Sequence, residues 1–214
     1  DQGGSCDGLV CACRRMLTMD FEYWRHYARG WLCHFIGWEE KAYAEYVVCY
    51  RQRPGEVQAA RNLAFLAAKR ERYEVADEWF REALRLAPDD ADTYYNHGFV
   101  LERVGRLQDA IKAFGEAVRL KPTLDRAWYG KGLAHARLGE HVHAASAFAR
   151  CVALQPLHGD AFYQWGMACH HAGQWEEVQA IVERLVAVAP KLAGKLVRDA
   201  QRADLAHLIP ELPF

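Results

Sequence analysis

The stretch AWYGKGLAHARLGEHVHAASAFARCVALQP, residues Ala127–Pro156, decides how this chain is built. Small and bulky apolar side chains recur in it at helical spacing, with Gly139 near its middle and Pro156 at its end. It contains no Ser/His/Asp set and no phosphate-binding loop. The pattern predicts two helices joined at Gly139 and stopped at Pro156, because proline cannot continue a helix.

The same features return on either side. Pro54, Pro88, Pro122, Pro156 and Pro190 are spaced by 34 residues, and of the seven prolines only Pro210 and Pro213 fall outside the series. A small column steps with them: Gly30, Ala64, Gly98, Gly132 and Gly166. A second small column runs Ala42, Ala76, Ala110 and Ala144, then Val178, and a bulky one runs Tyr46, Phe80, Phe114 and Phe148, then Val182. Gly37, Gly105, Gly139 and Gly173 share a turn column in which Glu71 is the exception. Small residues let two helices approach, and the bulky residue fills the groove beside them. A period of this length signals stacked repeats.

Trp128, Gly132, Ala144, Phe148, Cys151 and Pro156 carry the resemblance: the chain resembles the tetratricopeptide repeat family. The resemblance implies an all-α, right-handed α-solenoid of five 34-residue helix–turn–helix repeats with a C-terminal capping helix. The repeats are placed at 23–56, 57–90, 91–124, 125–158 and 159–192, all within 23–192. The first departs most, with His26 in an aromatic place, and the fifth carries Val178 and Val182. Residues 193–214 are read as the capping helix and tail. Residues 1–22 are read as an N-terminal leader, disordered or non-native, with Met16 or Met19 as candidate starts.

The resemblance further implies that the first helix of each repeat lines a concave groove holding a peptide or protein segment. The positions left free by the packing columns give one row of Tyr27, Arg61, Tyr95, Tyr129 and Tyr163. Trp31, Phe65 and Phe99 follow in the next row, and Arg137 lies in a third. Asn62 and Asn96 flank the tyrosines, and Arg126 stands at an entrance. Tyrosine is rigid and amphipathic and is enriched where proteins meet, and arginine forks fit carboxylates. The carboxylate clamp of some family members is incomplete here, because Phe65 and Gly130 replace two of its polar residues. Trp24, Tyr27, Trp31, Phe35 and Trp38 form an aromatic cluster near the start, which the leader or a partner would cover.

A net charge of −1 argues against nucleic acid as the main partner. No apolar run reaches the length of a membrane span, so none is expected. Seven cysteines, an odd number, do not read as a disulfide framework and point to a reducing, cytoplasmic setting. Cys6, Cys11 and Cys13 lie within eight residues and offer three thiols to a metal, and His141, His143, His170 and His171 offer a second candidate edge. No catalytic constellation is present and no cofactor is expected. The expected function is a non-catalytic scaffold or adaptor for a protein or peptide. The alternatives are a metal- or redox-handling accessory protein using the N-terminal Cys or the His edge, and an assembly-factor subunit docking through the aromatic first repeat.

Overall fold

The computed structural model describes the backbone of residues 6–209 and the side chains of residues 21–209. Among the described residues every regular element is helical. The fold is all-α, of the α-solenoid class, and its helices come in consecutive hairpins. The chain divides into two compact units, residues 1–89 and 90–214.

The first unit holds α1 (Cys6–Phe35), α2 (Glu39–Gln52), α3 (Val57–Lys69) and α4 (Tyr73–Leu86). α1 is 30 residues long, and its first turns lie in the stretch read from sequence as a leader. Cys6, Cys11 and Cys13 lie outside the residues whose side chains are described. His26, which replaces an aromatic residue, meets Glu45 of α2 at 2.5 Å. The core gathers Tyr23, Tyr46, Cys49, Leu63 and Leu66, all sealed from solvent.

The second unit holds α5 (Ala91–Val104), α6 (Leu107–Leu120), α7 (Asp125–Arg137), α8 (His141–Leu154), α9 (Gly159–His171), α10 (Trp175–Val188) and α11 (Pro190–Asp199), then a short 3-10 helix at Ala203–Leu208. Asp90 caps α5, its carboxylate accepting from the Asp92 and Thr93 amides. Pro190 opens α11 at a position where its missing N–H costs nothing.

The two sequence columns meet face to face. A Cβ added at Gly132 would lie 2.7 Å from the Phe148 ring, and one at Gly98 would lie 2.8 Å from Phe114. Real carbons do not approach so closely, so glycine is what lets each ring close over the neighbouring backbone. Gly30 receives Tyr46 in the first unit in the same way. In the fifth repeat Val182 is too short for this task, and Leu196 of α11 takes the place over Gly166. Burial of Ala193, Leu196 and Val197 docks α11 against α9 and α10.

The turn column has an equally direct cause. Gly37, Gly105, Gly139 and Gly173 all have positive φ, and so does Glu71 at 57°. An L-residue there pays about 1–2 kcal/mol in contact between its Cβ and the next carbonyl. Glu71→Gly is therefore expected to stabilise the first unit by roughly 0.5–1 kcal/mol after the extra chain entropy of glycine is deducted. Urea denaturation of the two proteins side by side checks it, and a loss of stability would show that the Glu71 side chain contributes more than its backbone costs.

Candidate functional site

In the second unit, α5, α7 and α9 are neighbours and carry Tyr95, Tyr129 and Tyr163 at matching positions. Each of the first two rings leans on a bulky core residue: Tyr95 lies 6.0 Å from Phe114 and Tyr129 lies 5.7 Å from Phe148, centroid to centroid. Their phenols are half-buried, and loss of hydration raises the pKa of both. Tyr163 is pushed up to about 12 by burial and by the hydrogen bond its hydroxyl donates to Asp199 of α11 at 2.7 Å.

Two cavities adjoin along these helices. One of about 220 Å³ is lined by Tyr95, Phe99, Phe114, Arg126, Tyr129 and Leu133, with Glu102, Asp125, Gly130 and His158 completing its wall. The other, about 430 Å³, is lined by Leu133, Arg137, Tyr163, Gln164, Met167 and His171, with Ala136, His141 and Ala168. They meet at Leu133. Asn96 lies beside Tyr95 on α5 and lines neither cavity.

The arginines are already committed. Arg126 donates to Asp92 at 2.5 Å and its guanidinium lies 4.7 Å above the Tyr95 ring. Arg137 donates to the Glu102 carboxylate and, at 3.1 Å, to the Glu102 carbonyl. These pairs span adjacent repeats and balance the charge of the walls. The surface thus offers aromatic faces and paired polar groups rather than an open cationic trough. Gly130, read from sequence only as a gap in the carboxylate clamp, borders the first cavity. A Cβ there would lie 2.7 Å from Phe114, so the glycine lets that buried ring pack against α7 beneath the cavity. The signal was present as a missing side chain in the row that holds Asn62, Asn96 and Gln164.

In the first unit Tyr27 packs on Tyr46 at 5.7 Å. Trp31 and Phe35 stack at 5.7 Å and are 57% and 76% exposed, while Phe65 meets His34 at 5.6 Å. Arg61 and Asn62 lie on α3, where the Asn62 amide oxygen accepts from Gln58 at 3.4 Å.

The four candidate histidines do not share one cluster. His141 lies 4.9 Å from His171, and His171 lies 5.2 Å from His170. His143 instead stacks 5.3 Å from His135, whose Nδ1 meets the Glu140 carboxylate at 2.5 Å. One donor atom from each of His135, Glu140 and His143 lies within 4.8 Å of the others. Cys33, Cys49, Cys151 and Cys169 are free thiols. Burial pushes Cys49, Cys151 and Cys169 up to about 11, which makes them packing groups rather than nucleophiles.

His170 packs against Trp175 at 5.1 Å, and burial lowers its pKa, with His171 and Arg202 adding to the shift. The unfolded chain then binds the proton more readily than the folded one. Stability is full above the ordinary histidine pKa of about 6.5 and falls as pH drops below it. Melting temperatures at pH 7.5 and 5.5 should show a smaller acid-induced fall for His170→Gln than for the wild type. An equal fall would place the proton uptake elsewhere.

Tetratricopeptide repeat profiles match residues 55–123 and 95–157. A crystal structure of MamA superposes with a TM-score of 0.74 at 19% identity, over 90% of this chain and 97% of that one. YrrB, described as a TPR protein with an unusual peptide-binding site, superposes at 0.72 with 23% identity, over 81% and 90%. PilF of Pseudomonas aeruginosa superposes at 0.68 with 18% identity, over 89% of each chain. No curated protein sequence matches.

Proposed function

Because the chain belongs to the tetratricopeptide repeat family, we propose that it is a non-catalytic scaffold or adaptor holding an extended protein segment along α5, α7 and α9. The observation that carries this reading is the pair of adjoining cavities walled by Tyr95, Tyr129 and Tyr163. Half-buried tyrosines give rigid contact area at low entropic cost, and their hydroxyls can bond a peptide backbone. Since Asp92 and Glu102 already neutralise Arg126 and Arg137, the segment that fits best carries apolar or aromatic side chains into the cavities rather than a run of acids. The peptide-binding site ascribed to YrrB, a structure of the same fold, supports the assignment.

The test is selection from a displayed peptide library on the full chain, followed by NMR mapping of an enriched peptide. Shifts centred on Tyr95, Leu133 and Tyr163 are expected. Enrichment of peptides that perturb only other surfaces would move the site, and no enrichment from any extended library would remove the reading.

A second docking surface on the first unit is supported by the exposed Trp24, Trp31, Phe35 and Trp38. No helix among the described residues is long and apolar enough to cross a membrane. Free thiols favour a reducing, cytoplasmic setting.

A further inference from the structure

We propose that the α7–α8 turn is a binding site for a divalent transition-metal ion, held by His135, Glu140 and His143. His135 lies in the last turn of α7, Glu140 precedes the first residue of α8, and His143 lies in the first turn of α8. The turn between them is fixed by its backbone. Gly139 has φ 77°, and the Glu140 amide donates to the His135 carbonyl at 3.0 Å. That locked turn brings three potential ligand atoms within 4.8 Å of one another without help from distant parts of the chain.

The ligand set chooses the ion. Two imidazole nitrogens and one carboxylate oxygen suit Zn²⁺, Co²⁺ or Ni²⁺, whereas Mg²⁺ and Ca²⁺ prefer oxygen donors throughout. His135 is buried, Glu140 is partly buried and His143 is exposed, so an ion entering from solvent meets His143 first and is then anchored in the wall of the hairpin. The His135 Nδ1 and the Glu140 carboxylate face each other at 2.5 Å; the ion would take its place between them after a small rotation of the carboxylate. Three protein donors leave at least one coordination position for water or for a group from a partner. The site is separate from the tyrosine-lined cavities, whose walls include neither His135, Glu140 nor His143.

The experiment uses the untagged full chain carrying Cys6→Ser, Cys11→Ser and Cys13→Ser, which removes the N-terminal thiols as competitors. Titration with Co²⁺ should show one equivalent bound, with ligand-field bands and no thiolate-to-cobalt charge-transfer band. Loss of even an outer-shell partner commonly costs about 10–100-fold in metal affinity, so His143→Gln should weaken binding by at least roughly tenfold. His141→Gln should leave it unchanged. In a second measurement, Zn²⁺ should move the ring-nitrogen resonances of His135 and His143 and leave those of His141 and His170 in place. No binding, a thiolate band on the first equivalent, an unaltered affinity in His143→Gln, or ring shifts confined to His141, His170 and His171 would each overturn the proposal.

Discussion

Alanine at both Tyr95 and Tyr129 should weaken capture of an extended segment by about a thousandfold, because buried aromatic anchors each contribute roughly 2 kcal/mol at interfaces. Both rings border the same cavity. The rings also lean on Phe114 and Phe148, so truncation removes some packing as well as binding. The companion variant Tyr95→Phe with Tyr129→Phe separates the two effects. It keeps the rings and their packing, and it should retain most of the affinity if ring contact dominates over the hydroxyl bonds. Circular dichroism establishes that the alanine pair remains helical, and titration calorimetry with the selected peptide reads the affinity. A folded alanine pair that binds as the wild type does would show that the segment lies elsewhere.

Phe148→Ala should destabilise the second unit by about 3–5 kcal/mol, the usual cost of deleting a fully buried phenylalanine ring. Phe148 has no exposed surface and lies against Gly132 on one side and Tyr129 on another. The backbone of α7 was brought close by Gly132 to receive that ring, so it cannot collapse further into the hole. For a unit of this size the loss corresponds to a fall of roughly 6–20 °C in melting temperature. Hydrogen exchange resolves it by position, with α7, α8 and α9 losing protection together. A change below about 1 kcal/mol would mean that the repeat relaxes into the cavity, contrary to the close packing seen here.

The architecture was legible because its signals are local and repeated. A proline every 34 residues, a glycine where φ must be positive and paired small and bulky columns each follow from chain sterics within one hairpin. Glu71 stood out in the sequence as the odd member of the turn column, and the structure gives it the same left-handed backbone as the glycines. Other features depend on distant residues. That Leu196 replaces the missing aromatic of the fifth repeat is invisible at Val182, because the compensating side chain lies one helix beyond the repeat array. Gly130 carried a signal only as the absence of a side chain, and its meaning needed the Phe114 ring behind it.

The chemistry of the surfaces divides in the same way. From the residues alone the arginines near the tyrosines offered positive charge, and the histidines at 141, 143, 170 and 171 offered one edge. In three dimensions Arg126 and Arg137 turn to Asp92 and Glu102, acids of the preceding repeat. His143 turns away from His141 to face His135, since neighbours two apart on a helix point in different directions. By itself the sequence determined the hairpin, its period and the rows of side chains that packing leaves free, because these follow from sterics repeated along one chain. Only the tertiary structure decided which charges are paired, which rings border a cavity and which histidines meet, because each of those depends on side chains brought together by the stacking of separate helices.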